Sequence, residues 1–205
     1  MIRVYRIPFS TNVERVALAA AHKGVEIEWV DVDPADRGPV REISGQELVP
    51  VLVADGQVVS DSPRVLAWLE ARYPDPPLWP RDPARRAEAW IFVEWFNQVW
   101  KGPPNQLEAE LHKEQPDRAL ADALGDRMLA WLDLFEELLT GRDHLLGEFG
   151  VADVVAFPFL KYGRLGLPEG DDELFHRILV ERQPIGHGHP RLAAWVDRVD
   201  SRPRA

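Results

Sequence analysis

The chain contains no cysteine, and this absence excludes several kinds of chemistry. Without a thiol of its own the protein forms no disulfide, offers no thiolate to a metal ion, and uses neither a cysteine nucleophile nor a dithiol redox pair. Any sulfur chemistry would therefore need a thiol that a substrate brings.

Long hydrophobic runs are also missing. The longest apolar stretches, residues 49–54 and 154–160, are far too short to span a bilayer. Residues 1–6 carry no apolar core of a signal peptide, so we expect a cytoplasmic protein. The net charge of −10 argues against nucleic acid and against anionic membrane surfaces as partners.

What is present is the composition of a folded soluble protein, with 45% apolar and 28% charged residues. Five prolines fall within residues 74–83, and such a segment favours a stiff linker over helix or central strand. We therefore predict a first domain over residues 1–75, a proline-rich linker over 76–84 and a second domain over 85–205.

The first domain shows strand-length apolar runs around one clear amphipathic helix. Strands predicted over residues 2–7 and 26–32 flank a helix over 12–22, and short connections of this kind imply a parallel pair. The segment 33–48 is polar and compatible with a short irregular helix.

A hairpin and a second helix complete this domain. Apolar runs at residues 51–54 and 57–60 lie on either side of Asp55-Gly56, a strong hairpin signal. Ser62 is a natural N-cap, and Pro63 stands where a first helical turn tolerates proline.

The second domain is predicted to be all-helical. Apolar residues recur at intervals of three and four. The predicted helices cover residues 84–100, 117–139, 151–162 and 190–199, with a kink or early break in the third at Pro158.

Four segments at these separations resemble the cytosolic glutathione transferase family, over essentially the whole chain. They are Ser10–Leu18, Leu48–Leu52, the Asp61-Ser62 pair and His189–Trp195. The resemblance implies a thioredoxin-like α/β N-terminal domain, an all-α C-terminal domain and a homodimer. The spacing is most similar to the omega class and related bacterial members.

Ser10 is the candidate catalytic residue that the resemblance implies. It stands where a strand gives way to a helix N-terminus, and unpaired N–H groups there favour a negative charge such as a thiolate. Ser10 could instead be only an N-cap, and Thr11 or Asn12 could be the true donor. The omega-like pattern has a cysteine at this position, so the serine excludes a mixed disulfide with glutathione here.

The resemblance also implies a glutathione-binding set. Its members are Ser10, Leu48, Val49, Pro50, Asp61, Ser62 and Arg37. In the family the proline after Val49 is cis and the preceding backbone clamps the cysteinyl part of the peptide. Asp61 and Ser62 would take the ammonium and carboxylate of the γ-glutamyl end. Leu48 replaces a frequent Lys or Gln, so Arg37, with Arg41 behind it, is our substitute for the glycine carboxylate.

The electrophile is expected between the two domains, where clefts usually form. Its candidate contacts are Phe9, Trp95 and Trp100. Aromatic residues at helical spacing are more often core than site. No metal site is predicted, because His187 and His189 alone make a poor one.

The sequence thus predicts an enzyme that activates the thiol of glutathione, its co-substrate, for attack on a small apolar electrophile. Two alternatives stay open: a glutathione-binding or interaction protein without catalysis, and a glutathione-dependent peroxidase or isomerase on the same scaffold.

Overall fold

A computed structural model describes residues 1–205. The chain forms two compact units, one of Met1–Trp79 with Arg202–Ala205 and one of Pro80–Ser201. The last four residues, which we predicted as part of the helical domain, pack with the first unit. We call Arg202–Ala205 the final segment.

The first unit has the thioredoxin-like architecture that the sequence predicts. Its elements are β1 Arg3–Arg6, α1 Thr11–His22, β2 Glu28–Asp31, α2 Gly38–Ser44, β3 Val51–Ala54, β4 Gln57–Ser60 and α3 Ser62–Arg72. The four strands lie in the order β2-β1-β3-β4. Strand β1 pairs in parallel with β2 and antiparallel with β3, and β4 closes the sheet as a hairpin with β3.

Local chemistry explains these elements. Asp55 and Gly56 connect β3 and β4 with φ of 50° and 75°, the backbone of the turn that suits a two-residue hairpin. Gly24, with φ of 63°, follows the end of α1 in the left-handed conformation that glycine adopts at little cost. Val4 of β1 and Leu52 of β3 are fully buried between the layers.

The second unit is all-helical, as predicted. Its elements are α4 Pro83–Trp95, a π-helical turn Phe96–Trp100, α5 Gly102–Leu111, α6 Arg118–Leu138, α7 Val151–Leu160, α8 Tyr162–Leu165, α9 Leu174–Arg182 and α10 Pro190–Asp200. Helices α5, α8 and α9 were not predicted. Every residue of α7 is buried, and the helix ends two residues after Pro158, earlier than its apolar pattern alone implies.

Asp153 fixes the start of α7. Its carboxylate accepts hydrogen bonds from the backbone N–H groups of Leu145 at 3.1 Å and Gly150 at 3.0 Å, and from the indole of Trp195 at 2.7 Å. Asp153 is therefore a structural residue. No helix in the chain combines the length and apolar character needed to cross a membrane.

Candidate functional site

Ser10 lies at the N-terminus of α1 and is half-buried. Its Oγ accepts a long hydrogen bond of 3.4 Å from the N–H of Val13, so Ser10 is the N-cap of this helix. A hydroxyl that accepts with a lone pair still has its own hydrogen to donate. Capping the helix and donating to a bound thiolate are therefore compatible in one side chain.

Thr11 is less well placed than Ser10 for that donation, because it is 6% exposed. The amide oxygen of Asn12 accepts a hydrogen bond from the hydroxyl of Ser62 at 3.2 Å, which leaves the amide hydrogens of Asn12 able to donate. Asn12 therefore stays an alternative to Ser10.

A cavity of about 340 Å³ opens beside Ser10, and we call it the Ser10 cavity. It lies wholly within the first unit. Its walls come from the end of β1, the loop to α1, the first turns of α1, strand β2 and the final segment. The lining residues are Arg6, Ile7, Pro8, Phe9, Ser10, Val13, Glu14, Ala17, Trp29, Asp31, Arg204 and Ala205.

The final segment is held against α1 and β2 by specific hydrogen bonds. The N–H of Ala205 donates to the carbonyl of Ala17 at 3.1 Å, and the indole of Trp29 donates to the carbonyl of Ala205 at 2.9 Å. The guanidinium of Arg204 pairs with Glu14 at 2.9 Å. These contacts make the final segment one wall of the Ser10 cavity.

A second helix N-terminus, that of α3, carries Asp61 and Ser62. Asp61 is exposed, its carboxylate makes no capping bond, and its φ of 77° is left-handed. Phe9, just before Ser10, has a φ of 60°. Non-glycine residues in this conformation are strained, and such strain concentrates at functional sites. Both strained residues directly precede a serine at the start of a helix.

Ser62 connects the two helix starts through a buried network. The guanidinium of Arg15 donates to its Oγ at 3.3 Å, and the same oxygen donates to Asn12 at 3.2 Å. Ser62 and Arg15 are each 1% exposed. The Ser62 hydroxyl is thus committed to protein partners, and the exposed carboxylate of Asp61 lies next to it in the chain.

Burial lowers the pKa of Arg15 to about 9, while the nearby charge of Asp61 acts in the opposite direction. Arg15 is therefore still cationic at neutral pH. The sequence by itself predicts no role for Arg15. The feature that could have indicated one is an arginine among the apolar residues of α1.

The Val49–Pro50 peptide bond is cis. Val49 lies just before β3, and its N–H and C=O make no hydrogen bond within the chain. Pro50 is buried and Leu48 is 70% exposed. A short backbone stretch with unused donors and acceptors lies ahead of a central strand, which suits pairing with an extended peptide.

Arg37 is half-buried at the start of α2. Its guanidinium donates to the carbonyls of Pro34 at 3.3 Å and Glu47 at 3.5 Å. Arg41 behind it pairs with the carboxylate of Glu47. Both arginines thus already have partners in the loops around α2.

The aromatic candidates fall in different places. Phe9 is 39% exposed and lines the Ser10 cavity. Trp95 is half-buried in the second unit, where it packs on Trp131 with ring centroids 5.7 Å apart. Trp100 is fully buried and stacks on Phe96 at 4.4 Å. The ring of Trp100 therefore has no surface left for a ligand.

Residues 4–77 match the family model for the glutathione S-transferase N-terminal domain, and residues 104–203 match the model for the C-terminal domain. Glutathione S-transferase GstB of Escherichia coli is 30% identical, over 90% of this chain and 96% of its own. A probable maleylacetoacetate isomerase of Caenorhabditis elegans is 40% identical over 78 residues, which cover 37% of this chain and 36% of that protein.

Among solved structures, a glutathione S-transferase from Methylobacterium radiotolerans, in complex with glutathione sulfonate, superposes with a TM-score of 0.76 at 26% identity. The superposition covers 98% of this chain and 91% of the other. Sequence and fold agree: the chain belongs to the glutathione S-transferase family.

Proposed function

We propose that the protein is a glutathione transferase in which Ser10 stabilises the thiolate of bound glutathione for attack on an apolar electrophile. The observation that carries this proposal is the position of the Ser10 hydroxyl. It caps α1 and lines a cavity at the same time.

The chemistry follows from that position. A thiolate next to the N-terminus of α1 gains from the helix dipole, from unpaired N–H groups and from a hydrogen bond donated by Ser10. Such surroundings lower a thiol pKa by about one to several units. The thiol proton leaves to solvent, the sulfur forms a bond to the electrophilic carbon, and the leaving group departs with the electron pair of its bond.

The rest of the peptide would occupy the neighbouring surface of the first unit. The free backbone of Val49 suits the cysteinyl residue, and the exposed Asp61 suits the γ-glutamyl ammonium. The backbone N–H groups at the start of α3 suit the γ-glutamyl carboxylate, because the hydroxyl of Ser62 is already engaged. Arg37 remains our candidate for the glycine carboxylate.

Glutathione-dependent isomerisation is the second candidate. The 40% identity to a probable maleylacetoacetate isomerase favours it, although the match covers 37% of this chain. Isomerisation needs the same activated thiolate, which adds to the substrate and leaves again. Net consumption of glutathione separates the two reactions.

The oligomeric state and location are part of the same proposal. We propose a cytoplasmic homodimer, as the resemblance implies. Large apolar side chains are exposed on α4, with Trp90 at 43% and Ile91 at 71%. Sedimentation of a monomer of 23.3 kDa would contradict the dimer.

The test uses glutathione binding and turnover in parallel on wild type, Ser10→Ala and Ser10→Asp. Aspartate also caps a helix, but its carboxylate has no hydrogen to donate and repels a thiolate. We expect glutathione to bind wild type and to be consumed with the electrophile, and turnover to fall about tenfold or more in both variants, further in Ser10→Asp. Ser201→Ala, at an exposed serine, is the control. Full activity in Ser10→Asp would overturn the role of Ser10.

A further inference from the structure

An ion pair lies in the wall of the Ser10 cavity, one helical turn from Ser10. The N–H of Glu14 donates to the carbonyl of Ser10 at 3.0 Å, and the side chains of both residues line the cavity. The carboxylate of Glu14 pairs with the guanidinium of Arg204 at 2.9 Å. Side chains one turn apart on a helix are neighbours, with Cβ atoms about 5–6 Å apart. A thiolate that accepts a hydrogen bond from Ser10 would therefore feel the charge of Glu14.

This pair is sheltered from solvent and firmly held. The side chain of Glu14 is 16% exposed and that of Arg204 is 25% exposed, so solvent and salt screen these charges less than they screen charges on the open surface. Arg204 also donates to the carbonyl of Arg202 at 2.6 Å. The backbone bonds of Ala205 to α1 and β2 do not use the Arg204 side chain, so they can hold the final segment when that side chain is changed.

The cavity carries more negative than positive charge even with this pair intact. The ionisable groups that line it are Arg6, Asp31, Glu14, Arg204 and the carboxylate of Ala205. Arg6 is committed to Asp31 at 2.7 Å on the β1–β2 side. Arg15 and Asp61, on the side of α1 that faces α3, lie outside the lining. Because nearby negative charge disfavours an anion, the cation of Arg204 matters for any thiolate that forms in this cavity.

We infer that Arg204 is a positioning residue for the proposed reaction, because it holds and neutralises the carboxylate of Glu14 next to the place where the thiolate forms. This inference rests on the proposed function, which puts the sulfur of glutathione at Ser10. It makes the thiolate depend on the final segment as well as on the start of α1. None of the roles predicted from the sequence involves Glu14 or Arg204.

A purely structural role for the pair makes a different prediction. If the pair only anchored the final segment to α1, removal of either partner would break the same contact, and both changes would act in the same direction. If the pair acts through its charge, the two changes act in opposite directions. Loss of Arg204 makes the cavity more negative, whereas loss of the Glu14 charge makes it more positive.

The test is a pH titration of the ultraviolet thiolate absorbance of bound glutathione on wild type, Glu14→Gln, Arg204→Gln and the double variant. We expect the thiol pKa to rise by about 0.5 to 1 in Arg204→Gln and to fall by about the same amount in Glu14→Gln. In the double variant the two effects should cancel to within about 0.3 of the wild-type pKa.

Two further variants serve as controls. Arg204→Lys keeps the positive charge and should leave the thiol pKa within about 0.3 of the wild-type value. Arg3→Gln makes the same kind of change on β1, where Arg3 pairs with Glu28 at 3.3 Å outside the cavity lining. Because both members of that pair are exposed to solvent, we expect the thiol pKa to move by no more than about 0.2.

Any pattern other than opposite shifts in the two single variants would overturn the inference while leaving the proposed function intact. Loss of glutathione binding in either single variant would also overturn it, because neither residue belongs to the glutathione-binding set. Failure of wild type to bind glutathione, or to lower its thiol pKa, would overturn the proposed function itself.

Discussion

Replacement of Arg15 by methionine separates the stability of the first unit from its affinity for glutathione. Arg15 is 1% exposed, and the side chain of methionine replaces its aliphatic stem without the charged guanidinium group. Burial lowers the arginine pKa to about 9, and folding therefore disfavours the cation by about 5 kcal/mol. Removing that charge removes this cost.

The stabilising interactions that Arg15→Met loses are worth less than this cost. The hydrogen bond from Arg15 to the Ser62 hydroxyl, at 3.3 Å, is long, and a hydrogen bond to a charged group contributes about 1.5–3 kcal/mol. Ser62 keeps its bond to Asn12. Arg15 makes further interactions as well. We therefore expect the free energy of unfolding of Arg15→Met to be equal to that of wild type or higher by about 1–2 kcal/mol.

The affinity for glutathione, in contrast, should fall in Arg15→Met. Without the guanidinium, Ser62 and the neighbouring Asp61 lose the group that orients them, so we expect the Kd for glutathione to rise about tenfold. Cysteinylglycine has no γ-glutamyl group, and its Kd should stay within about twofold. Arg15→Lys, which keeps the charge but loses the planar fork, should be less stable than Arg15→Met.

The assays are urea unfolding and calorimetry on the three proteins. A loss of more than about 3 kcal/mol in Arg15→Met would mean that the contacts of the guanidinium outweigh its desolvation. Equal losses of affinity for glutathione and cysteinylglycine would refute a specific role at the γ-glutamyl end and leave Arg15 as a packing residue.

Three further predictions concern stability. Burial lowers the pKa of His22, so the unfolded chain binds the proton more readily than the folded chain. The free energy of unfolding should be highest above the ordinary histidine pKa and fall as the pH drops through it. His22→Gln should flatten this slope in urea unfolding between about pH 7.5 and 5. Asp153→Ala leaves three donors without their acceptor, two of them buried and one of these the indole of Trp195. It should cost about 3 kcal/mol, and a loss below about 1 kcal/mol would contradict this account. Gly163→Ala would force a methyl group into the carbonyl oxygen of Gln183. We expect a lower Tm and a loss of about 3 kcal/mol or more in the free energy of unfolding. An unchanged Tm would show that the backbone around Gln183 moves to make room.

The elements that local sequence determines were predictable. Asp55-Gly56 predicted the hairpin, and Pro63 predicted the start of α3 to within a residue, because turn and first-turn preferences depend on a few adjacent residues. The prediction of Ser62 as the N-cap was wrong: Ser62 is the first residue of α3, and Asp61 lies at the N-cap without a capping bond. Helix α5 was missed because it begins with Gly102 and two prolines, which usually mark an interruption. In this case the prolines occupy the first turn, where no hydrogen bond is lost.

The site was predictable only in part, because its geometry depends on residues far apart in the chain. Ser10 and Asp61 were named from the family resemblance, which rests on short segments at the two helix starts. The bond between Arg15 and Ser62 joins residues 47 positions apart, and the bond between Trp29 and Ala205 spans 176 positions. No local pattern indicates such contacts. The Ser10 cavity, which depends on the final segment, therefore emerged only from the structure.

The central claim is that Ser10 stabilises a thiolate on glutathione. The most direct measurement is the ultraviolet thiolate absorbance of glutathione bound to wild type and to Ser10→Ala, titrated with pH. We expect the thiol pKa on wild type to lie at least about one unit below that of a free thiol near 8.5, and to return toward that value in Ser10→Ala. A thiol that titrates on wild type as it does in water, or a lowered pKa that Ser10→Ala retains, would contradict the claim.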